Sequence, residues 1–132
     1  MVLCDAAHRD AATGKFTLLG TFSTFRAHAF PAKLGFAIYF AITDGIGPTD
    51  IRLRLVTAES LLQDEEEVVF EIVMSGMNLE SPLMVAETVS AVACTVPQPG
   101  LYHCELYAGE SLLMSRRLLV METPKVGDAD ND

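Results

Sequence analysis

The chain has 132 residues and a mass of 14.3 kDa, the usual size of one domain, and half of its residues are apolar. This composition, with nine glycines and six prolines, excludes disordered, collagenous and low-complexity chains. The formal net charge of -9 repels phosphate backbones and anionic lipids, so we expect neither nucleic acid nor a membrane as a partner.

The dominant sequence period is two, which only a β-strand can use. It is clearest where Phe36, Ile38 and Phe40 occupy one face and Ala37 and Tyr39 the other. Eight strands are predicted on this basis, at Val2–Cys4, Phe16–Phe25, Leu34–Thr43, Ile51–Val56, Val68–Met74, Met84–Ala93, Leu101–Tyr107 and Leu112–Met121. Cys4 is interpreted as an apolar residue that ends the first strand.

Turn residues separate these strands, at Thr13–Lys15, Asp44–Pro48, Pro97–Gly100 and Ala108–Ser111. The last of these predicts a tight hairpin. The best helical segment, Ala58–Glu67, is too short to change the fold class. After residue 121 the periodicity is lost, so the sequence predicts a single domain over residues 1–121 and a flexible acidic tail over residues 122–132.

Eight short strands without crossover helices predict an all-β fold, an antiparallel two-layer β-sandwich with immunoglobulin-like or related Greek-key topology. Tyr102 lies two residues before Cys104 at the start of a strand, which resembles the sixth strand of immunoglobulin-like domains. The resemblance implies that the Tyr102 hydroxyl caps the backbone a few residues upstream. The chain has no Trp and Cys4 is poorly placed as a disulfide partner, so an antibody-type domain is not expected.

A second resemblance covers nearly the whole chain. The opening Leu3-Cys4-Asp5-Ala6, then Gly14-Lys15 and Leu18-Leu19-Gly20-Thr21-Phe22, is similar to that of a family of uncharacterised small bacterial proteins. The ending agrees as well, with Pro99-Gly100, Tyr102, and a final Leu118 and Val120. The resemblance implies no activity.

The cysteines and the start of the chain indicate the compartment. Charged residues from Asp5 onward interrupt any secretory signal, and the longest uncharged run of large apolar residues, Leu34–Thr43, is half the length that spans a bilayer. Cys4, Cys94 and Cys104 are three in number, which is odd for a disulfide framework. We predict a cytoplasmic protein with three free thiols, Cys94 and Cys104 being separated where the chain crosses between sheets.

No residue pattern reaches the specificity of a catalytic, cofactor or metal site. His8, His28 and His103 lack metal-ligand spacing, and Cys4 with Asp5 and His8 lacks a nucleophile signature. The phosphate-loop patterns are absent. Asp128, Asp130 and Asp132 copy only the beginning of a calcium loop. We therefore predict no catalytic residue, no cofactor and no metal ligand.

Charged residues occur on two of the predicted strands. Arg52 and Arg54 share one strand face, where they could bind an anion, but pairing of this strand with Val68–Met74 would place Glu71 within reach of one of them. We prefer the interpretation in which these arginines have a structural role over the one in which they bind an anion. His103 and Glu105 share a face of their strand that we expect to be solvated.

The leading functional hypothesis is a non-enzymatic module that binds another protein or assembles with itself. A possible interface is the outward face of the third strand, Gly35, Ala37, Tyr39 and Ala41, which is small and apolar. The alternative for this face is that the N-terminal segment Ala6–Thr13 covers it. Two other functions stay open: a sandwich that binds a small molecule or sugar through Tyr39, Tyr102 and Tyr107, and an enzyme of unfamiliar type.

Overall fold

A computed structural model of the chain describes residues 1–43, 47–58, 67–79 and 83–124, residues 76–79 by their main chain alone. These residues form nine strands and no α-helix. The strands are β1 (Val2–Arg9), β2 (Phe16–Thr21), β3 (Thr24–Ala27), β4 (Ala32–Ile42), β5 (Gly47–Thr57), β6 (Val68–Leu79), β7 (Ala86–Val96), β8 (Gly100–Ala108) and β9 (Ser111–Glu122). The predicted all-β class is confirmed.

The strands form two sheets that pack as a sandwich. One sheet has the order β2-β1-β4-β7 and the other the order β3-β9-β8-β5-β6. The pairings are antiparallel except that of β3 with β9, which is parallel and differs from the antiparallel sandwich expected from the sequence. Consecutive strands β7 and β8 belong to different sheets, so the chain crosses the sandwich at the Pro97–Gly100 turn as expected.

The predicted strand Phe16–Phe25 is two strands in two different sheets. β2 ends at Thr21, and β3 begins at Thr24 beside β9 in the opposite sheet. Apolar residues continue through Phe22, whose ring lies 5.7 Å from that of Phe36. Phe22, at the crossing, thus contributes to packing. Because apolar residues continue through it, the period-two pattern extends across the break between β2 and β3.

The first strand is longer than predicted, because it continues past Cys4 to Arg9. Cys4 is buried but does not end the strand. Beyond it, β1 pairs only with β2, up to the pair of Arg9 with Phe16, and its pairing with β4 stops at Cys4. Gly20, with φ of 67°, lies where an added Cβ would collide with the Asp5 carboxylate. Glycine is therefore required at this point of the hairpin.

The core lies between the two sheets and is built from the alternate residues that the sequence pattern identified. Its members include Leu34, Phe36, Ile38, Phe40, Ile51, Leu53, Leu55, Val92, Val96, Leu106 and Leu118. Burial of this apolar surface supplies the main driving force for the fold, at about 25 cal/mol per Å².

Tyr102 has the corner role that its position implied. It is 1% exposed, and its hydroxyl donates a hydrogen bond of 2.6 Å to the main-chain oxygen of Gln98. The tight hairpin is also confirmed, since only Gly109 and Glu110 separate β8 from β9. Gly109 has φ of 59°, and its amide donates to Asp50 O.

Three sequence predictions fall wholly or mostly on residues that the structure does not describe. These are the turn at Asp44–Pro48, the helical segment at Ala58–Glu67 and the acidic tail beyond residue 124. None of the described residues forms a helix of the length and apolarity that crossing a bilayer requires.

Candidate functional site

The predicted interface on the outer face of β4 is uneven. Gly35 and Ala41 are exposed, but Ala37 is only 7% exposed and Tyr39 is half-buried. Ala37 is paired on both sides, with Cys4 of β1 and with Ala91 of β7. In the single chain, Ala37 therefore offers almost no surface to a second molecule.

The β1–β2 hairpin reaches the outer face of β4 at Tyr39. β1 and β4 pair with Val2 opposite Tyr39. If this pairing continued to the end of β1, Arg9 would lie opposite a residue seven positions from Tyr39 along β4, about 23 Å from it. Phe16, the partner of Arg9, instead has its ring centroid 5.5 Å from that of Tyr39. The hairpin therefore leaves the plane of its sheet and lies over this part of the face.

Tyr39 has a polar as well as an apolar partner. Its hydroxyl donates a hydrogen bond to Glu87 Oε2 on β7. This hydrogen bond is the main cause that raises the pKa of Tyr39, followed by partial burial. Both the ring and the hydroxyl of Tyr39 are thus engaged within the chain.

The outer face of the second sheet carries a charged cluster. Arg54 Nε lies 3.7 Å from Glu71 Oε2 and 3.9 Å from Glu105 Oε1. The predicted pairing of Glu71 with one of the two arginines is confirmed, that arginine being Arg54, and Glu105 is a further partner. Glu105 is only 6% exposed, so its expected place on a solvated face was wrong. Arg54 thus lies between two carboxylates, and the cluster ties β5, β6 and β8 together.

The three tyrosines considered as ligand contacts have partners within the chain. Tyr102 is buried at the corner, and Tyr39 is held by Phe16 and Glu87. Arg52 Cζ lies 4.6 Å from the centroid of the Tyr107 ring, an arrangement typical of a cation–π contact. The structure does not bring these tyrosines together as an aromatic platform.

The residues considered for metal binding and catalysis are also dispersed. The described residues contain no group of three His, Cys, Asp or Glu side chains arranged to hold a metal ion. Burial, and then the nearby Asp5 carboxylate, raise the pKa of the Cys4 thiol, which is the opposite of what a nucleophile needs. His103 Nδ1 lies 3.4 Å from Ser115 Oγ, and His28 Nδ1 lies 3.1 Å from Thr123 O.

A site that the sequence analysis missed is the edge of β9. β3 pairs with β9 only over Leu119–Glu122, so on this side Ser111–Leu118 has no neighbouring strand among the described residues. The amides of Leu119 and Thr123 both donate to the β3 side, to Ser23 O and Ala27 O. Because main-chain groups alternate in direction along a strand, Ser115 and Arg117 direct theirs to this same side. Within the described structure, no hydrogen bond occupies these groups.

The edge is apolar as well as unpaired. Leu112, Leu113 and Met114 are 51%, 47% and 40% exposed. A register shift in the β8–β9 ladder places an extra residue at Leu113, so the regular part of the free edge is Met114–Leu118. Three consecutive apolar residues at Leu112–Met114, where a half-buried strand should alternate, were the signal available in the sequence.

A cleft of about 880 Å³ opens beside this edge. One wall is formed by Ser115, Arg116, Arg117 and Leu119 of β9 with Leu101 of β8. The other wall is formed by Val2 and Leu3 of β1 and by the crossing from β2 to β3, residues 21–24. The cleft therefore lies at the open side of the sandwich, where the chain passes from one sheet to the other.

The two sheets, the crossing and the free edge define a two-layer β-sandwich protein. Residues 1–121 match a family of unknown function, DUF6941, and the chain belongs to this family. The match is consistent with the resemblance to an uncharacterised family of small proteins, and it ends one residue before β9 does. No curated protein matches the chain.

Proposed function

We propose that the chain is a non-enzymatic protein-binding or assembly module, and that its partner adds a strand to the free edge of β9. The observation that carries this proposal is that the main-chain groups of Ser115 and Arg117 on the β3 side of β9 have no hydrogen-bond partner among the described residues. An open strand edge is a template for a further strand, because its N–H and C=O groups already have the required spacing.

The exposed apolar side chains support the proposal. Natural proteins usually protect a sheet edge with charge, proline or a bulge. β9 has a bulge at Leu113 and charges at Arg116 and Arg117, yet it exposes Leu112 before the bulge and Met114 after it. Burial of such side chains at an interface would supply binding energy in addition to the main-chain hydrogen bonds.

An enzyme of unfamiliar type has less support. The Cys4 thiol has a raised pKa, and the three histidines occupy β1, β8 and the segment after β3. Ser115 Oγ lies 3.4 Å from His103 Nδ1, beyond the roughly 2.6–3.2 Å at which a base activates a nucleophile, and no carboxylate among the described residues orients that ring. We therefore propose no catalytic residue and no cofactor. We also propose that the protein is cytoplasmic and that its three thiols are free.

We also propose the immunoglobulin-like variant of the sandwich. In that topology one sheet contains the last strand, G, beside the strand before it, F, and F lies beside strand C. A tyrosine corner stands at the start of F. The neighbours β9-β8-β5-β6 and the bond from Tyr102 to Gln98 support the assignment. A solved structure of a homologous domain in which β5 and β8 are not neighbours would contradict this assignment.

Self-assembly through β4 is the second form of the proposal, since Gly35 and Ala41 remain exposed there. Light scattering at tens of micromolar, with Tyr39→Glu beside the unchanged chain, tests it. A dimer that the substitution separates would locate the interface on β4. A monodisperse monomer would exclude the homodimer and leave binding of another protein.

Strand addition at β9 is tested by selecting binders from a displayed library of random eight-residue peptides. Proline at position 115 removes an N–H that faces the free edge while leaving the β8 side intact. We expect Ser115→Pro to abolish binding of the selected peptides, whereas Ser115→Ala, which keeps the N–H, binds as the unchanged chain does. Binders indifferent to Ser115→Pro, or no binders, would overturn the proposal.

A further inference from the structure

The chemistry of the cleft beside β9 is specific enough to describe its occupant. A strand added at Ser115 and Arg117 would continue the line of β3, which ends its own pairing with β9 at Leu119. The cleft lies along that line. Met1 contacts the side chains of Met114 and Arg116 at this edge. The main chain of Met114–Leu118 has no strand beside it among the described residues, which is room for an extended segment of about five residues.

Two arginines give the cleft its charge. Arg116 and Arg117 line it, and both are exposed, whereas no Asp or Glu is among the described residues that line it. The whole chain has only nine lysines and arginines against eighteen acidic residues. The cleft is therefore a locally cationic site on an acidic molecule. An acidic ligand is repelled least by the negative net charge of the chain at this site.

The two guanidinium groups serve opposite faces of the strand. Adjacent residues of a strand point to opposite sides, so Arg116 faces inward with Cys104 and Arg117 faces outward with His103. Arg116 Nε donates a hydrogen bond of 2.8 Å to Met1 O, and its terminal nitrogens have no partner among the described residues. Neither arginine forms an ion pair within the described structure.

Apolar and hydroxyl groups complete the lining. Leu3 and Phe22 lie toward the inner side, Val2 shares the outer face of the first sheet with Tyr39, and Leu101 and Leu119 belong to the outer face of the second sheet. Thr21, Ser23 and Thr24 supply hydroxyl groups at the crossing. An incoming strand would thus meet apolar surface on both of its faces and one positive charge on each.

We infer that this cleft binds an extended segment of a partner protein that carries two consecutive acidic residues flanked by β-branched residues. The inference rests on the proposed strand addition at β9 and gives the partner its chemistry. One acidic side chain pairs with Arg116 on the inner face, and the next pairs with Arg117 on the outer face. The flanking residues pack on the apolar walls, and the main chain bonds to Ser115 and Arg117.

A second copy of β9 fits the cleft less well. In an antiparallel self-pairing centred on Ser115, Arg117 would lie opposite Leu113, and Arg116 opposite Met114. No carboxylate would meet either guanidinium, and the copies would each carry a formal charge of -9. Charge complementarity therefore favours an acidic segment over β9 itself.

The test uses the peptides selected against the full chain and asks what they share. We expect enrichment of adjacent Asp or Glu residues among Val, Ile and Thr. Fluorescence anisotropy then compares one selected peptide with the version in which its two acids become Asn and Gln. The amide version should bind about tenfold more weakly at low salt, and the difference should shrink as salt rises.

A charge exchange supplies the control for folding. Arg116→Glu together with Arg117→Glu should weaken binding of the acidic peptide about tenfold, and the Lys-Lys version of the peptide should recover binding to that variant. If the selected peptides need the Ser115 N–H but show no preference for acids, strand addition stands and the acidic partner is wrong. If no peptide is selected, or if binding ignores Ser115→Pro, both proposals fail.

Discussion

The amide of Leu119 donates a hydrogen bond of 2.9 Å to the main-chain oxygen of Ser23, at the point where β3 begins to pair with β9. From Leu119 to Glu122, β9 is paired with β3. On the other side of Leu119, Ser115 and Arg117 direct the same main-chain groups toward a cleft. The position at which β3 begins therefore determines how much of β9 remains available to a partner.

The corner bond of Tyr102 should contribute measurably to stability. Tyr102→Phe keeps the buried ring and removes the hydroxyl that donates to Gln98 O. We expect a loss of about 1 kcal/mol in the free energy of unfolding, measured by urea denaturation. Tyr39→Phe is the control and should lose less, because its partner Glu87 is exposed and water can replace the bond. Equal losses would contradict the corner role.

Gly20 should lose stability when a side chain is added. Its positive φ and the Asp5 carboxylate beside it predict that Gly20→Ala lowers the free energy of unfolding by about 1 to 2 kcal/mol. Gly35→Ala is the matched control, because nothing lies within 4 Å of an added Cβ there. That variant should be neutral or slightly stabilised by denaturant titration. If Gly20→Ala were equally neutral, the hairpin would not depend on this conformation.

The charged cluster should depend mainly on its buried members. Arg54→Met leaves Glu105 buried without its cation, and we expect a loss of about 3 kcal/mol. Glu71→Gln changes an exposed partner and should cost less than about 1 kcal/mol. The double variant Arg54→Met with Glu105→Gln should recover part of the loss in the same unfolding measurement. Additive losses would show that the pair is not coupled.

The three thiols should be free and unequal in reactivity. Burial is the main cause that raises the pKa of Cys104, to about 12, with Glu105 and Cys94 adding to it. Burial also raises the pKa of Cys94. At pH 8 these groups are therefore protonated, and a thiol reagent should modify the folded protein slowly. Under denaturing, non-reducing conditions it should find three thiols; finding one would reveal a disulfide.

The sequence predicted the features that depend on local pattern. Alternation identified the core faces of β4 and β5, and the offset of Tyr102 from Cys104 identified the corner. Cross-strand reasoning placed Glu71 beside one of Arg52 and Arg54, and the structure identifies Arg54. Each of these follows from spacing within one strand or one adjacent pair of strands.

The features that the sequence did not predict depend on topology. A period-two pattern continues from Phe16 to Phe25 whether or not the chain changes sheets, so the break at Phe22 was hidden. The burial of Glu105 requires knowing that β5 is its neighbour. Whether Ser115 lies at a free edge depends on where β3 stops, a contact made with residues almost a hundred positions away.

Amide hydrogen exchange at four consecutive residues of β9 tests the central claim most directly. In the dilute chain alone, the amides of Arg116 and Leu118 point to β8 and should be protected, whereas those of Ser115 and Arg117 should exchange rapidly. Addition of a selected acidic peptide should slow exchange at Ser115 and Arg117 and leave the other two unchanged. Protection of Ser115 and Arg117 before the peptide is added, or their continued rapid exchange in its presence, would contradict the claim that a partner strand binds at this edge.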